Sequence, residues 1–307
     1  MPSNYQASPQ WERISQYWMT DGAASDLTNF KSDRRNHKIS LWNPDANGVR
    51  YLKTLIYNLA KELLGPDDWK RLRNTLHRDI GNPIAVELEG ESICLDYLQA
   101  ILEVAFIEQQ LDLHGARVLE IGPGYGRTCH TLLSNHDIAS YCIVDLNSTM
   151  QFSMRYLRTV LDDAQFAKID FVSVDDVDDT LESRHFDLCV NIDSFHEMAP
   201  ETARGYLDQI ARRCSFFYVK NPVGKYLDKS LDGHSEGNES LVHAMRSGLL
   251  RQVLDVHSSE AVKAAVPAFI SAYRPADEWT CVADGWAVPW SFYWQAIYRD
   301  NSTETDI

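Results

Sequence analysis

Basic residues are scarce in this chain: 29 Lys and Arg stand against 44 Asp and Glu, a formal net charge of −15 with a sequence pI near 5.0. Nucleic-acid binding draws on clustered Lys and Arg to neutralise phosphates, so a DNA or RNA partner is excluded. No run of about 18 apolar residues occurs, and no membrane-spanning segment is expected. The opening MPSNYQASPQWER lacks the basic start and apolar core of a secretory signal, which points to the cytoplasm. Six scattered cysteines (Cys94, Cys129, Cys142, Cys189, Cys214 and Cys281) include no CxxC pair and no metal-ligand spacing, and read as reduced core residues. There is also no HxxxH and no paired Asp-Asp-Asn at a strand end, so no metal site is expected. With 44% hydrophobic and 24% charged residues and no low-complexity tract, the composition is that of an ordinary globular protein. Its 307 residues suffice to bury about three quarters of the unfolded surface, as a core with a smaller cap.

The most informative stretch is VLEIGPGYGRT, Val118 to Thr128, a buried-strand pattern that breaks on Gly122, Gly124 and Gly126 directly before a helix. Such a turn lets the backbone approach a ligand closely while the helix presents its unpaired N–H groups. The spacing is GxGxG rather than the GxGxxG of dinucleotide sites, and Glu120 stands two residues before the first glycine. A carboxylate there repels a pyrophosphate and attracts a cation, which favours S-adenosylmethionine over NAD. The rival reading is a glycine-rich turn without a ligand.

Before this motif the chain reads as helical. Val49, Leu52, Leu55, Ile56, Leu59 and Leu63 keep helical spacing up to Gly65-Pro66. A second helix is predicted from Pro66, carrying Trp69, Leu72, Leu76 and Ile80 inward and ending at Gly81-Asn82-Pro83, and a third over Leu95 to Leu111, packed on the sheet that follows. From Ala116 short β-branched runs alternate with helical patterns, the mark of a parallel sheet. Strands are predicted at Arg117–Ile121, Tyr141–Asp145, Ile169–Val174, Asp187–Ile192 and Phe216–Val219. The helices between them are predicted at Arg127–Ser134, Ser148–Leu161 and Pro200–Arg213, with a solvated acidic loop over Asp175 to Glu182. LDKSLDGHSEGNES, Leu227 to Ser240, reads as a long mobile loop. A helix near Ser259 to Tyr273 precedes two strand-like runs, Trp279–Val282 and Trp290–Tyr298, separated by Ala283-Asp284-Gly285. Trp290, Phe292, Trp294 and Tyr298 on one face suit a buried strand or a carbohydrate-stacking platform. The division expected is a helical cap over 1–112 and a ligand-binding domain over 113–307, with 221–258 as a mobile loop on the acceptor side.

Asp145 ends the second strand 25 residues past Glu120, close to the roughly 20 typical of an acid that holds a ribose. Leu146 follows it. Val174 and Asp175, after the third strand, are placed beside an adenine, with Asp176 competing for the amine. The fourth strand yields FDLCVNIDSFHEMAP, which brings Asn191, Ile192, Asp193, Ser194, His196 and Glu197 to the carboxyl ends of the strands, where open α/β sheets bind ligands. His196 is the first choice of general base, ahead of Glu197 and Asp193, because imidazole accepts a proton near neutral pH. It also suits a merely structural place before the helix at Pro200.

The segments LEIGPGYGRT, IVDL, NIDSFHEM and YVKN, with IGNPIAVELEG at Ile80 to Gly90, together resemble a bacterial family of sugar O-methyltransferases over roughly Trp42 to Asn221. The resemblance implies a Rossmann-like class I methyltransferase fold with a seven-stranded sheet and S-adenosyl-L-methionine as cofactor. It implies a cofactor site at Glu120, Gly122, Gly124, Tyr125, Gly126, Asp145 and the residues after Val190, and Lys220-Asn221 facing the acceptor. The expected reaction is methyl transfer to a sugar hydroxyl of a small-molecule glycoside or natural product. Rivals are transfer to another oxygen or nitrogen acceptor and cofactor binding without transfer.

Overall fold

The computed structural model describes residues 7–17, 44–226, 228, 230 and 238–302. The chain divides into two compact units, Met1–Asn58 and Leu59–Ile307. Helix α1 (Pro9–Tyr17) lies in the first, and α2 (Pro44–Leu63) begins there with a kink where Asn47 leaves helical φ/ψ.

The second unit takes in the last residues of α2 and then α3 (Pro66–Asn74), capped by the Asp68 carboxylate, which accepts from the Gly65 N–H. The helix is shorter than its apolar spacing predicts. The Thr75 N–H and hydroxyl both fold back on Arg71 O, and His77 and Asn82 adopt positive φ. Leu76 and Ile80, expected inside, are 59% and 41% exposed. A hairpin, β1 (Ala85–Leu88) and β2 (Glu91–Cys94), interrupts the region read as wholly helical. Its two-residue turn, Glu89-Gly90, has φ of 52° and 80°, the positive values a tight hairpin requires. Helix α4 (Leu95–Glu108) follows directly from β2.

Then come β3 (Arg117–Ile121), α5 (Arg127–Asn135), β4 (Ser140–Asp145), α6 (Asn147–Val160), α7 (Asp163–Phe166) and β5 (Ile169–Ser173). The acidic stretch after β5 is not a loop: Val177 and Leu181, one turn apart, bury themselves and form α8 (Val177–Leu181). The chain continues through β6 (Phe186–Ile192), α9 (Pro200–Arg213), β7 (Cys214–Pro222), α10 (Asn238–Arg246), α11 (Ser259–Ala272), β8 (Trp279–Trp286) and β9 (Tyr293–Asp300). Ala283-Asp284-Gly285, read as a separator, lies inside β8, where a bulge follows Cys281. Strand β9 starts three residues later than the predicted run, which leaves Trp290 outside it. Ala296, Ile297 and Tyr298 are buried, so β9 is a core strand rather than a carbohydrate platform.

The seven strands run β5-β4-β3-β6-β7-β9-β8, with β9 antiparallel to both neighbours and the others parallel. This is the strand order of the Rossmann-like class I methyltransferase fold. Alternation along each strand feeds two faces. Val118, Ile143, Leu188 and Val190 meet Val104 and Ile107 of α4, Leu132 of α5 and Leu157 of α6. On the other side Leu119, Val144, Cys189 and Phe217 meet Leu207 and Ile210 of α9 and Phe269 of α11. All six cysteines are free thiols, only Cys281 being partly exposed.

Within 221–258, Leu227, Lys229 and residues 231–237 of the expected mobile loop lie outside the described residues. The two ends of the segment meet: the Lys225 N–H donates to Gln252 O, the Leu254 N–H returns to Lys225 O, and Val223, Leu254 and Val256 are buried. Among the described residues no helix is long and apolar enough to cross a membrane.

Candidate functional site

A cavity of about 850 Å³ opens at the carboxyl ends of the parallel strands, where the chain leaves β3, β4, β5 and β6. The three glycines after β3 have φ of 70°, 61° and 97°, but they serve different ends. A Cβ on Gly122 would stand 2.5 Å from Ser194 Oγ, and one on Gly126 would stand 2.9 Å from Leu157 Cδ1. Those two are required by packing. A Cβ on Gly124 would meet nothing within 4 Å, so this backbone faces open cavity.

Asp145 lines the cavity at the end of β4. Its Oδ1 accepts from the Leu146 N–H at 2.7 Å, while the buried Oδ2 has no partner. Burial raises its pKa, against the pull of the Leu146 and Gly124 backbone N–H groups. A buried carboxylate oxygen left open toward a cavity is what a ribose hydroxyl satisfies. Asp145→Ala is therefore expected to weaken binding of S-adenosylhomocysteine by about 1.5–3 kcal/mol, read by calorimetry. Unchanged affinity would remove Asp145 from the ligand's reach.

Leu146, Val174, Ile192 and Tyr125 also line the cavity. Glu120 lines it too. It accepts from the Tyr141 hydroxyl at 2.7 Å, and burial pushes its carboxyl up to about 7. Asp175 is exposed and outside the lining. Asn191 is also outside it. Its side chain donates to Ile121 O and Ser194 Oγ and accepts from Asn221, tying the ends of β3, β6 and β7 together.

On the other side of the cavity stand Asp193, Glu197, Lys220, Trp290 and Tyr293. Asp193 has φ 59°, a left-handed conformation that Asp tolerates better than most residues. Its N–H donates to Lys220 O at 2.8 Å, and its Oδ1 accepts from the Tyr293 hydroxyl at 2.5 Å. His196 is not in the lining. It sits behind, with Nδ1 3.2 Å from Asp193 Oδ1 and Nε2 3.9 Å from Glu197 Oε1. Its backbone is held by Asn221, which accepts from its N–H, and by Lys225, whose Nζ donates to its carbonyl. Nearby, the Tyr273 hydroxyl is buried without a hydrogen-bond partner.

Beneath this wall lies a charge cluster with no sequence signature. Lys220, 2% exposed, donates from Nζ to Glu103 Oε1 at 2.7 Å, Gln99 Oε1 at 2.9 Å and Val288 O at 3.1 Å. Arg127 reaches the same Glu103 oxygen at 3.0 Å and also donates to Asp96 O. Burial lowers the Lys220 pKa despite Glu103. The two cations, conversely, hold Glu103 below its ordinary value against its own burial. Losing one partner of such a group typically costs about 3–5 kcal/mol, because the remaining charges stay buried. The resemblance placed Lys220-Asn221 toward the acceptor; Lys220 does line the cavity, whereas Asn221 is buried among the strand ends. Tyr125 is steadied by its hydroxyl, which donates to Asp96 at 3.0 Å, and by an edge-on contact with Tyr156. Among the described residues no group of three or more His, Cys, Asp or Glu side chains is placed to hold a metal ion.

No protein-family model matches the chain, and no curated protein matches its sequence. Solved structures of similar shape include the methyltransferase domain of bacterial CtHen1, at 13% identity over 65% of this chain and 96% of its own, with a TM-score of 0.48. Another is magnesium protoporphyrin IX methyltransferase (ChlM) from Synechocystis PCC 6803 with bound SAH, at 13% identity over 80% and 98%, with a TM-score of 0.44. A third is the mitomycin 7-O-methyltransferase MmcR, at 11% identity over 76% and 67%, with a TM-score of 0.41.

Proposed function

We propose that this chain is an S-adenosyl-L-methionine-dependent O-methyltransferase acting on a sugar hydroxyl of a small-molecule glycoside or natural product in the cytoplasm. The observation that carries the reading is the unpartnered, buried Asp145 oxygen beside the open Gly124 backbone, in a sheet of this strand order. The cofactor fits these groups. Asp145 would take the ribose hydroxyls, Leu146 and Val174 offer apolar surface to the base, and Gly124 and Tyr125 border the rest. When bound, it supplies a methyl group already activated on sulfonium.

The protein's task is then to align an acceptor hydroxyl and take its proton. On the wall that also holds Lys220, Trp290 and Tyr293, the carboxylates are Asp193 and Glu197, and Asp193 is the better placed, with the His196 imidazole nitrogen 3.2 Å from its Oδ1. This reading moves the first contact with the acceptor from His196 to Asp193 and keeps His196 as its support. Trp290 is 47% exposed in the cavity wall, and its indole suits the apolar face of a sugar ring. The cap proposed over 1–112 takes part through α4, whose Asp96 and Gln99 reach the lining.

The test is incubation with methyl-labelled S-adenosylmethionine and a panel of deoxysugar glycosides, alongside calorimetry with S-adenosylhomocysteine. Labelled O-methyl product is expected. Failure to bind either form of the cofactor would sink the class; binding without transfer to any acceptor would leave a non-catalytic binding protein.

A further inference from the structure

We propose that Tyr293 is a positioning residue: its hydroxyl holds Oδ1 of Asp193, leaving Oδ2 to receive the acceptor hydroxyl. The inference rests on the function proposed above. Tyr293 is the first residue of β9, in register with Pro222 of β7, and its carbonyl accepts from the Ala287 N–H at 2.9 Å. Its ring packs edge-on against Phe292, with centroids 5.1 Å apart. The sheet therefore fixes the hydroxyl, and Asp193, on a left-handed turn after β6, is brought to it.

The groups facing Asp193 are His196 and Glu197 from its own turn, Lys220 from β7, Tyr273 from the end of α11 and Tyr293 from β9. Lys220 is engaged by Glu103, Gln99 and Val288. Tyr293 makes the 2.5 Å contact. Burial first, and the Asp193 charge second, push the Tyr293 phenol well above its ordinary pKa. It stays a donor throughout the working range of pH and cannot itself serve as the base. The His196 Nδ1, 3.2 Å from the same Oδ1, makes no hydrogen bond to it, so among the described residues the Tyr293 hydroxyl is the side-chain donor that stops the carboxylate turning about its side-chain bonds.

The test is Tyr293→Phe in the full chain. Expected is a fall in kcat of about 10- to 100-fold, the scale of a hydrogen bond to a charged group. KM for the acceptor, calorimetric affinity for S-adenosylhomocysteine and Tm should hold. A double-mutant cycle then separates positioning from general damage: in an Asp193→Asn background, Tyr293→Phe should cost little more. Equal cost in both backgrounds, a loss confined to KM, or wild-type turnover by Tyr293→Phe would each overturn the inference and leave the proposed function standing. A chain that binds no S-adenosylhomocysteine removes the proposed function first, and this inference with it.

Discussion

Gly124→Val is expected to abolish binding of S-adenosylhomocysteine, with no calorimetric heat at concentrations that saturate the natural chain. Gly124 has φ 61°, a region that β-branched side chains resist, at about 1–3 kcal/mol of strain. That cost alone is small against the 5–15 kcal/mol typical of a folded domain, so the variant should still melt cooperatively. The Cβ itself meets nothing within 4 Å, so the valine methyl groups project into the cavity rather than into protein. The neighbouring glycines make the control. Alanine at Gly122 or Gly126 strikes Ser194 or Leu157 and should show first as a lower Tm. Undiminished affinity in Gly124→Val would move the ligand away from this turn.

Asp193→Asn is expected to lower kcat by about 10²–10⁴-fold with cofactor affinity kept, the range for loss of a positioned base. The substitution is nearly isosteric, Asn also accepts a left-handed backbone, and its carbonyl oxygen still receives the Tyr293 hydroxyl. What it removes is the capacity to take a proton. His196→Ala should cost less, because the imidazole stands behind Asp193 and outside the lining. If Asp193→Asn turns over normally while Glu197→Gln is inactive, the base is Glu197.

The parallel half of the sheet was legible in the residues because each strand is a short apolar run closed by a polar or glycine-rich turn. Arg117–Ile121 and Pro200–Arg213 match observed elements residue for residue. The place of Asp145 was legible for the same reason: it ends a strand beside the glycine turn and lines the cavity there. The opposite wall of the cavity was not. Lys220 meets Glu103 across 117 residues and Tyr293 meets Asp193 across 100, and no local pattern announces contacts of that range. The placing of His196 turns on one torsion angle that no sequence pattern shows: with Asp193 in a left-handed conformation, that carboxylate lines the cavity and the imidazole does not. The Glu89-Gly90 hairpin was hidden because Glu is an uncommon partner for Gly in so tight a turn.

The place of β9 in the sheet has a bearing on how the protein folds. Among the described residues strand β8 pairs only with β9, and β9 lies between it and β7, so β8 cannot join the sheet before the later strand has inserted. The glycine turn and Asp145 depend on β3 and β4, whose pairing closes short loops and forms fast. The Tyr293–Asp193 contact waits for a closure of 100 residues, the kind of non-local step that slows folding. During refolding, binding of S-adenosylhomocysteine is therefore expected to return before turnover in the proposed reaction, with the pairing of β9 falling between the two.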